Sequence, residues 1–132
     1  MKKLGVFVAA LLISAVAHGD NEWVELWKHK KGESKFEVKL SSFDSFDNIQ
    51  HSKTLRILSR TIRPNGRVMF EQFSITDATC AQGYGSLMGD YMDGSPTEYA
   101  TYVRDGGNGN AIIGDLLCQL RAEKAQETKD GS

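Results

Sequence analysis

Cys80 and Cys118 are the only thiols in this 132-residue chain, so any sulfur chemistry rests on this pair. Two cysteines can close a structural bridge or exchange electrons with a partner. Redox exchange favours a local Cys-x-x-Cys pair, and these two lie far apart in sequence. A structural disulfide is the better reading, and closing so long a loop would stabilise the fold by about 4 kcal/mol in the chain-entropy picture. Other reactive types are scattered. His18, His29 and His51 are the only histidines and have no short ligand spacing, so a metal site is not expected and surface imidazoles are. Gly83-Tyr84-Gly85-Ser86-Leu87 misplaces the glycines of a nucleophile elbow. Asp90 with Asp93, and Asp44 with Asp47, could act as carboxylate pairs. Acids in Gly- and Ser-rich stretches more often bond their own backbone as turn formers. Gly106-Gly107-Asn108-Gly109-Asn110 resembles half of a calcium-binding glycine repeat, but it occurs once and Ala111 stands where the acid belongs. No Lys-Ser/Thr follows the glycines, so a phosphate loop is not expected either. No set of residues makes a catalytic site, and no cofactor is implied.

Charge and aromatic placement offer a different chemistry, that of docking. Lys53, Arg56, Arg60, Arg63 and Arg67 form one basic stretch; Lys28, Lys30, Lys31, Lys35 and Lys39 form another. If the two are neighbours, they make a basic face suited to an acidic partner or polyanion. The plainer alternative is a solvated face with lysines protecting strand edges. Trp23 and Trp27 are either binding anchors or core, and at least one is expected in the core.

The start of the chain bears on the cysteines. Met1-Lys2-Lys3 precedes an apolar run from Leu4 to Ile13, and Ala15-Val16-Ala17 follows. This is the layout of a cleaved export signal, residues 1–17, leaving His18 as the new terminus. The run is short for a membrane span, which needs about 20 residues, and no lipid-anchor cysteine stands at the cleavage point. The periplasm or medium of a Gram-negative type of cell is the expected destination, with no stable membrane anchor after cleavage. An oxidising compartment then favours pairing of Cys80 with Cys118. Cleavage removes Lys2 and Lys3 and no acid, leaving 115 residues with 14 basic and 17 acidic side chains, a net charge of −3. That balance argues against a nucleic-acid binder, and the length suits one domain, residues 18–123, with a polar, flexible tail over 124–132.

Residues 22–30 read as a first strand with Val24 and Leu26 on one face and Trp23 and Trp27 on the other. A turn at Lys31-Gly32-Glu33 precedes a clean alternation of Phe36, Val38 and Leu40 with Lys35, Glu37 and Lys39. Residues 41–48 read as turn, with Phe43 and Phe46 tucked under the sheet. Residues 52–62 form a third strand, with Leu55 and Ile57 opposite Arg56, Leu58, Arg60 and Ile62. A fourth runs from Val68 to about Ala78. There Val68 and Phe70 share one face, and Phe73 and Ile75 switch to the other, a slip that predicts a β-bulge. Fifth and sixth strands follow over 83–92 and 98–103. A helix is expected from about Ala111 to about Ala125, capped by Asn108 or Asn110. Its Ile113/Leu116/Leu117/Leu120 stripe and its small-residue face (Ala111, Gly114, Cys118, Ala122) compete for the core, which leaves the helix roll open. Strands followed by one helix predict an α+β fold: an antiparallel sheet of five to six strands, with the C-terminal helix packed on one face and tied by the disulfide.

Several short motifs then carry a resemblance. Trp23-Val24 soon after the signal, Phe36-Glu37-Val38 with Ser41-Ser42-Phe43, Cys80 at the end of a mid-chain strand, and Gly109 through Leu116-Leu117-Cys118 resemble the surface-adhesin protein E family of small exported bacterial proteins. The resemblance implies the same sheet with a disulfide-tied helix, and a non-catalytic binding role with a host matrix or serum protein as partner. The chain differs in lacking a lipidation cysteine and in its charged residues after Cys118. Docking through the hairpin surface, with Arg56, Arg60, Arg63, Arg67 and Trp27 as candidate contacts, is the expected function. A periplasmic inhibitor or immunity-type protein that binds a toxin or envelope hydrolase is the alternative. A small hydrolase using Asp90 or Asp93 would require a pocket of converging acids.

Overall fold

The computed structural model describes residues 23–27 and 32–131, with side chains through Glu127. The expected export signal, His18, His29 and the Lys28–Lys31 cluster lie outside the described residues. The elements are β1 (Trp23–Trp27), β2 (Lys35–Asp47), β3 (Lys53–Ile62), β4 (Val68–Thr76), α1 (Asp77–Gln82), β5 (Tyr84–Tyr91), β6 (Glu98–Val103) and α2 (Gly109–Gly131). The six strands form one sheet in chain order, every pair antiparallel. The fold is α+β, and α2 crosses back over β3, β4 and β6 to touch α1.

Alternation puts Phe36, Val38, Leu55, Ile57, Ile75, Leu87 and Tyr102 on the face under α2, and all are buried. The helix answers with Ala111, Ile113, Leu116 and Leu117, also buried. Its two competing stripes are therefore adjacent parts of one contact. Gly114 sits directly on the Tyr102 ring, where a Cβ would collide with the ring atoms. The Tyr102 hydroxyl donates to Asp115 at 2.6 Å, so one glycine lets the helix backbone approach while the next residue satisfies the buried phenol. Burial, then the bond to Asp115, pushes the Tyr102 phenol well above its ordinary range. Asn108 caps the helix, its side chain accepting from the Ala111 backbone at 2.8 Å.

Two bulges decide which side chains face which way. The β1–β2 register jumps between Glu25 and Trp27, so Val24 pairs with Val38 and Trp27 with Phe36. The slip turns Trp27 onto the core side, where it stacks on Phe36 at 4.6 Å, and leaves Trp23 on the opposite face. The two tryptophans thus do not share a face as strict alternation predicts. In β2 the register against β3 shifts between Lys39 and Asp44. Lys35, Glu37 and Lys39 point away from the helix before the shift, Asp44 and Phe46 after it. The segment expected to be turn is therefore strand, because the irregularity absorbs its broken period. Phe43 packs on the core, whereas Phe46 is exposed. The actual turn is held by Asn48, whose side-chain oxygen accepts from Gln50 and Ser52, each at 2.9 Å.

The bulge expected in β4 does not exist. Its pairing with β3 is continuous from Ile62–Val68 to Thr54–Thr76. Val68 and Phe70 are out of phase with Phe73 and Ile75 because they lie on the other face, 43% and 39% exposed.

Cys80 sits not at a strand end but inside α1. Thr76 caps this one-turn helix by accepting from Thr79, and Gly83 closes it with a left-handed φ of 88°. Arg104 donates to the Cys80 carbonyl at 2.6 Å, which satisfies one of the last helical acceptors. The disulfide joins Cys80 to Cys118, with Cα atoms 5.5 Å apart. It fixes α1 to the middle of α2, and Arg121 pairs with Asp77 one turn further on. The helix does not stop near Ala125. It continues helically through Gly131, with every residue from Ala122 to Glu127 exposed. Its polar composition gives no apolar stripe there, but Ala, Glu, Lys and Gln are good helix formers and no Pro intervenes.

A candidate protein-docking face

Helix α2 covers one side of the sheet; among the described residues no element covers the other. Its composition follows from the registers above. Trp23, Glu37, Arg60 and Phe70 lie across β1 to β4, with Arg56, Asp44 and Phe46 towards the Asn48 turn. The Arg60 guanidinium lies over the Trp23 ring, 4.1 Å from its centroid, and Trp23 packs obliquely on Phe70 at 6.2 Å. Glu37 holds Arg60 from the side at 2.7 Å. A second unit of the same kind stands beyond it. Arg56 lies 4.5 Å over Phe46 and is gripped by both oxygens of Asp44, at 2.8 and 3.1 Å. That bond, foremost, raises the Arg56 pKa further still. Tyr99, 70% exposed, and Val103 extend the apolar surface on β6.

The candidate residues of the sequence are thus sorted by the structure. Arg56 and Arg60 come together on the open face. Arg63 and Arg67 flank the β3–β4 turn, where Arg63 contacts the Met69 sulfur at 3.1 Å and Arg67 is exposed. Trp27 is not among them. It packs against Phe36 and the Gly109 side of the core, on the other side of the sheet. Trp23 takes the place expected of it, because of the register shift in β1, for which the sequence carries no signal. The face is also not simply basic. Asp44 and Glu37 are paired with its two arginines, and Glu25 stands opposite Glu37. Planar arginines laid on aromatic rings and fixed by carboxylates make a rigid, amphipathic surface rather than a polyanion track.

The acids proposed for hydrolysis do not form a pair. Asp93 accepts from Ser95, a bond that lowers its carboxyl pKa, and Asp90 accepts from Thr97. Converging acids do occur elsewhere, as Glu71 and Glu98 at an open pocket of about 460 Å³ floored by Phe73 and Leu87. Both project from the helix-side face of the sheet, beside Gly89. Glu71 is also engaged by the Tyr91 hydroxyl. Sequence reading missed this pair because the two are remote along the chain and meet only across β5.

Among the described residues no group of three or more His, Cys, Asp or Glu could hold a metal ion, and no helix is long and apolar enough to cross a membrane. No protein-family model, curated protein or solved structure matches the chain.

Proposed function

We propose that this chain is an exported, non-enzymatic binding protein, similar to the surface-adhesin protein E family, that docks a protein partner on the open face of its sheet. The observation that carries this reading is the Trp23–Arg60–Phe70 cluster, with Glu37 paired to the guanidinium. Tryptophan, tyrosine and arginine dominate protein-binding hot spots, and large apolar groups left open on one sheet face mark interaction sites. The disulfide supports residence in an oxidising compartment. With the basic–apolar start of the sequence, this favours passage through the inner membrane, cleavage after Ala17, and life in the periplasm or medium.

The test uses protein recovered from the periplasm and beginning at His18. Immobilised wild type and a Trp23→Ala/Phe70→Ala variant are compared against bacterial envelope extract and against host matrix and serum proteins. A partner retained by the wild type should be lost by the variant at least about tenfold, the effect of truncating one hot-spot pair. A host protein supports the adhesin-like role. An envelope hydrolase or toxin supports the inhibitor role on the same surface. Equal retention by both forms removes the open face from the account.

A further inference from the structure

We propose that Glu71 and Glu98 form a pH-responsive latch on the edge strand β6: the two side chains flank Gly89 on the helix-side face of the sheet, and a proton held on Glu71 keeps the start of β6 in place. The geometry is specific. Phe73 of β4 pairs with Gly89 of β5, and Gly89 in turn pairs with Glu98, the first residue of β6. Glu71, opposite Tyr91, reaches over the bare Gly89 backbone so closely that a Cβ at position 89 would strike its carboxylate. Any side chain there would push Glu71 away, so the glycine permits its approach.

The groups around Glu71 are Glu98 from β6, Tyr91 from β5 and, around Tyr91, Arg63 from the β3–β4 turn; Asp90 of β5, paired with Gln72, lies on the other face and repels from a distance. From α2 the pocket wall receives Asn110, which carries no charge. Among the described residues, no Lys or Arg forms an ion pair with Glu71 or Glu98. Burial, then repulsion from Glu98, raises the Glu71 carboxyl from 4.5 to about 7, against the smaller opposing effect of the Tyr91 hydrogen bond. A folded-state value above the unfolded one means that the fold favours the protonated acid. The stabilisation is full below about pH 4.5 and is lost as pH rises through about 7. Strain from two neighbouring carboxylates is relieved where the sheet yields most easily. Strand β4 is paired on both sides, whereas β6 is paired only to β5 and is entered from the exposed 92–97 turn.

Amide hydrogen exchange tests the latch, read at residues 98–100 and corrected for the intrinsic pH dependence of exchange. Between pH 5.5 and 8, protection there should fall by about tenfold in the wild type, while β3 stays protected. Glu71→Gln, neutral at every pH, should abolish that fall. Glu98→Gln should reduce it and bring the Glu71 titration midpoint, followed by carboxyl carbon NMR, down towards the ordinary range. If Glu71→Gln does not fold, the wild-type midpoint and its shift in Glu98→Gln decide the matter. A wild-type midpoint near 4.5, or protection at 98–100 whose pH dependence is the same in wild type and Glu71→Gln, overturns the latch.

Discussion

Cys118→Ala is expected to lower the melting temperature by roughly 10–20 °C, since loss of a native bridge costs about 2–5 kcal/mol and each kcal/mol moves a domain of this size by several degrees. The wild type under reducing conditions should behave alike. The reason is local as well as entropic. The helix α1 has six residues, too few to persist unaided. It is held by the bond to Cys118, by Arg104 on the Cys80 carbonyl and by the Asp77–Arg121 pair. Of these, only the bridge constrains the unfolded chain, over a separation of 38 residues. The half-exposed Asp77–Arg121 pair contributes little by comparison. Thermal melting by circular dichroism, with and without reductant, checks this; a melting curve unchanged by either treatment would contradict it.

Gly114→Ala should destabilise the protein by about 1–3 kcal/mol, although the same exchange on an exposed helix would stabilise by about 1 kcal/mol. Two effects oppose each other and the structure decides between them. Alanine is the better helix former. Its methyl group, however, would occupy the space of the Tyr102 ring, with even Cγ only 3.1 Å away. Tyr102 cannot retreat, because it is 1% exposed and its hydroxyl is fixed on Asp115. Overpacking therefore wins, and α2 must lift from β6. Denaturant titration measures the loss; a stability equal to or above that of the wild type would show that the ring yields. Ala122→Gly, at an exposed position of α2, serves as the control for helix propensity alone. It inserts no methyl group and should cost about 1 kcal/mol with the helix still seated.

The architecture was legible wherever period and punctuation agreed. Phe36-x-Val38, Leu55-x-Ile57, the turn at Pro64-Asn65-Gly66 and the Asn108 cap read directly onto the strands, hairpin and helix observed. The even cysteine count pointed to the bond that forms. What escaped was face assignment, because side-chain direction along a strand depends on each residue being paired in step. One irregularity in β1 sends Trp27 inward, and one in β2 turns a Ser- and Asp-rich stretch into strand. The opposite error arose in β4. There a change of apolar phase was read as a bulge, when the strand is regular and simply carries Val68 and Phe70 on its open face. An apolar residue facing solvent breaks the pattern just as an inserted residue does, and a single sequence cannot tell the two apart. The candidate site was therefore half legible. Arg56 and Arg60 were found from charge alone, while Trp23 and Phe70, which give the face its apolar character, depend on registers set by pairing. The Glu71–Glu98 juxtaposition had no local signal beyond Gly89, whose missing side chain matters only once β4 and β6 flank it.

The account turns on which side of the sheet a partner touches, and site-specific photo-cross-linking in envelope and matrix extracts reads this directly. A photoreactive residue at Phe70 stands on the open face, and one at Ile112 stands on the solvent side of α2. The account predicts a discrete adduct from position 70 and none from position 112. An adduct from position 112 alone, or equal adducts from both, would contradict it.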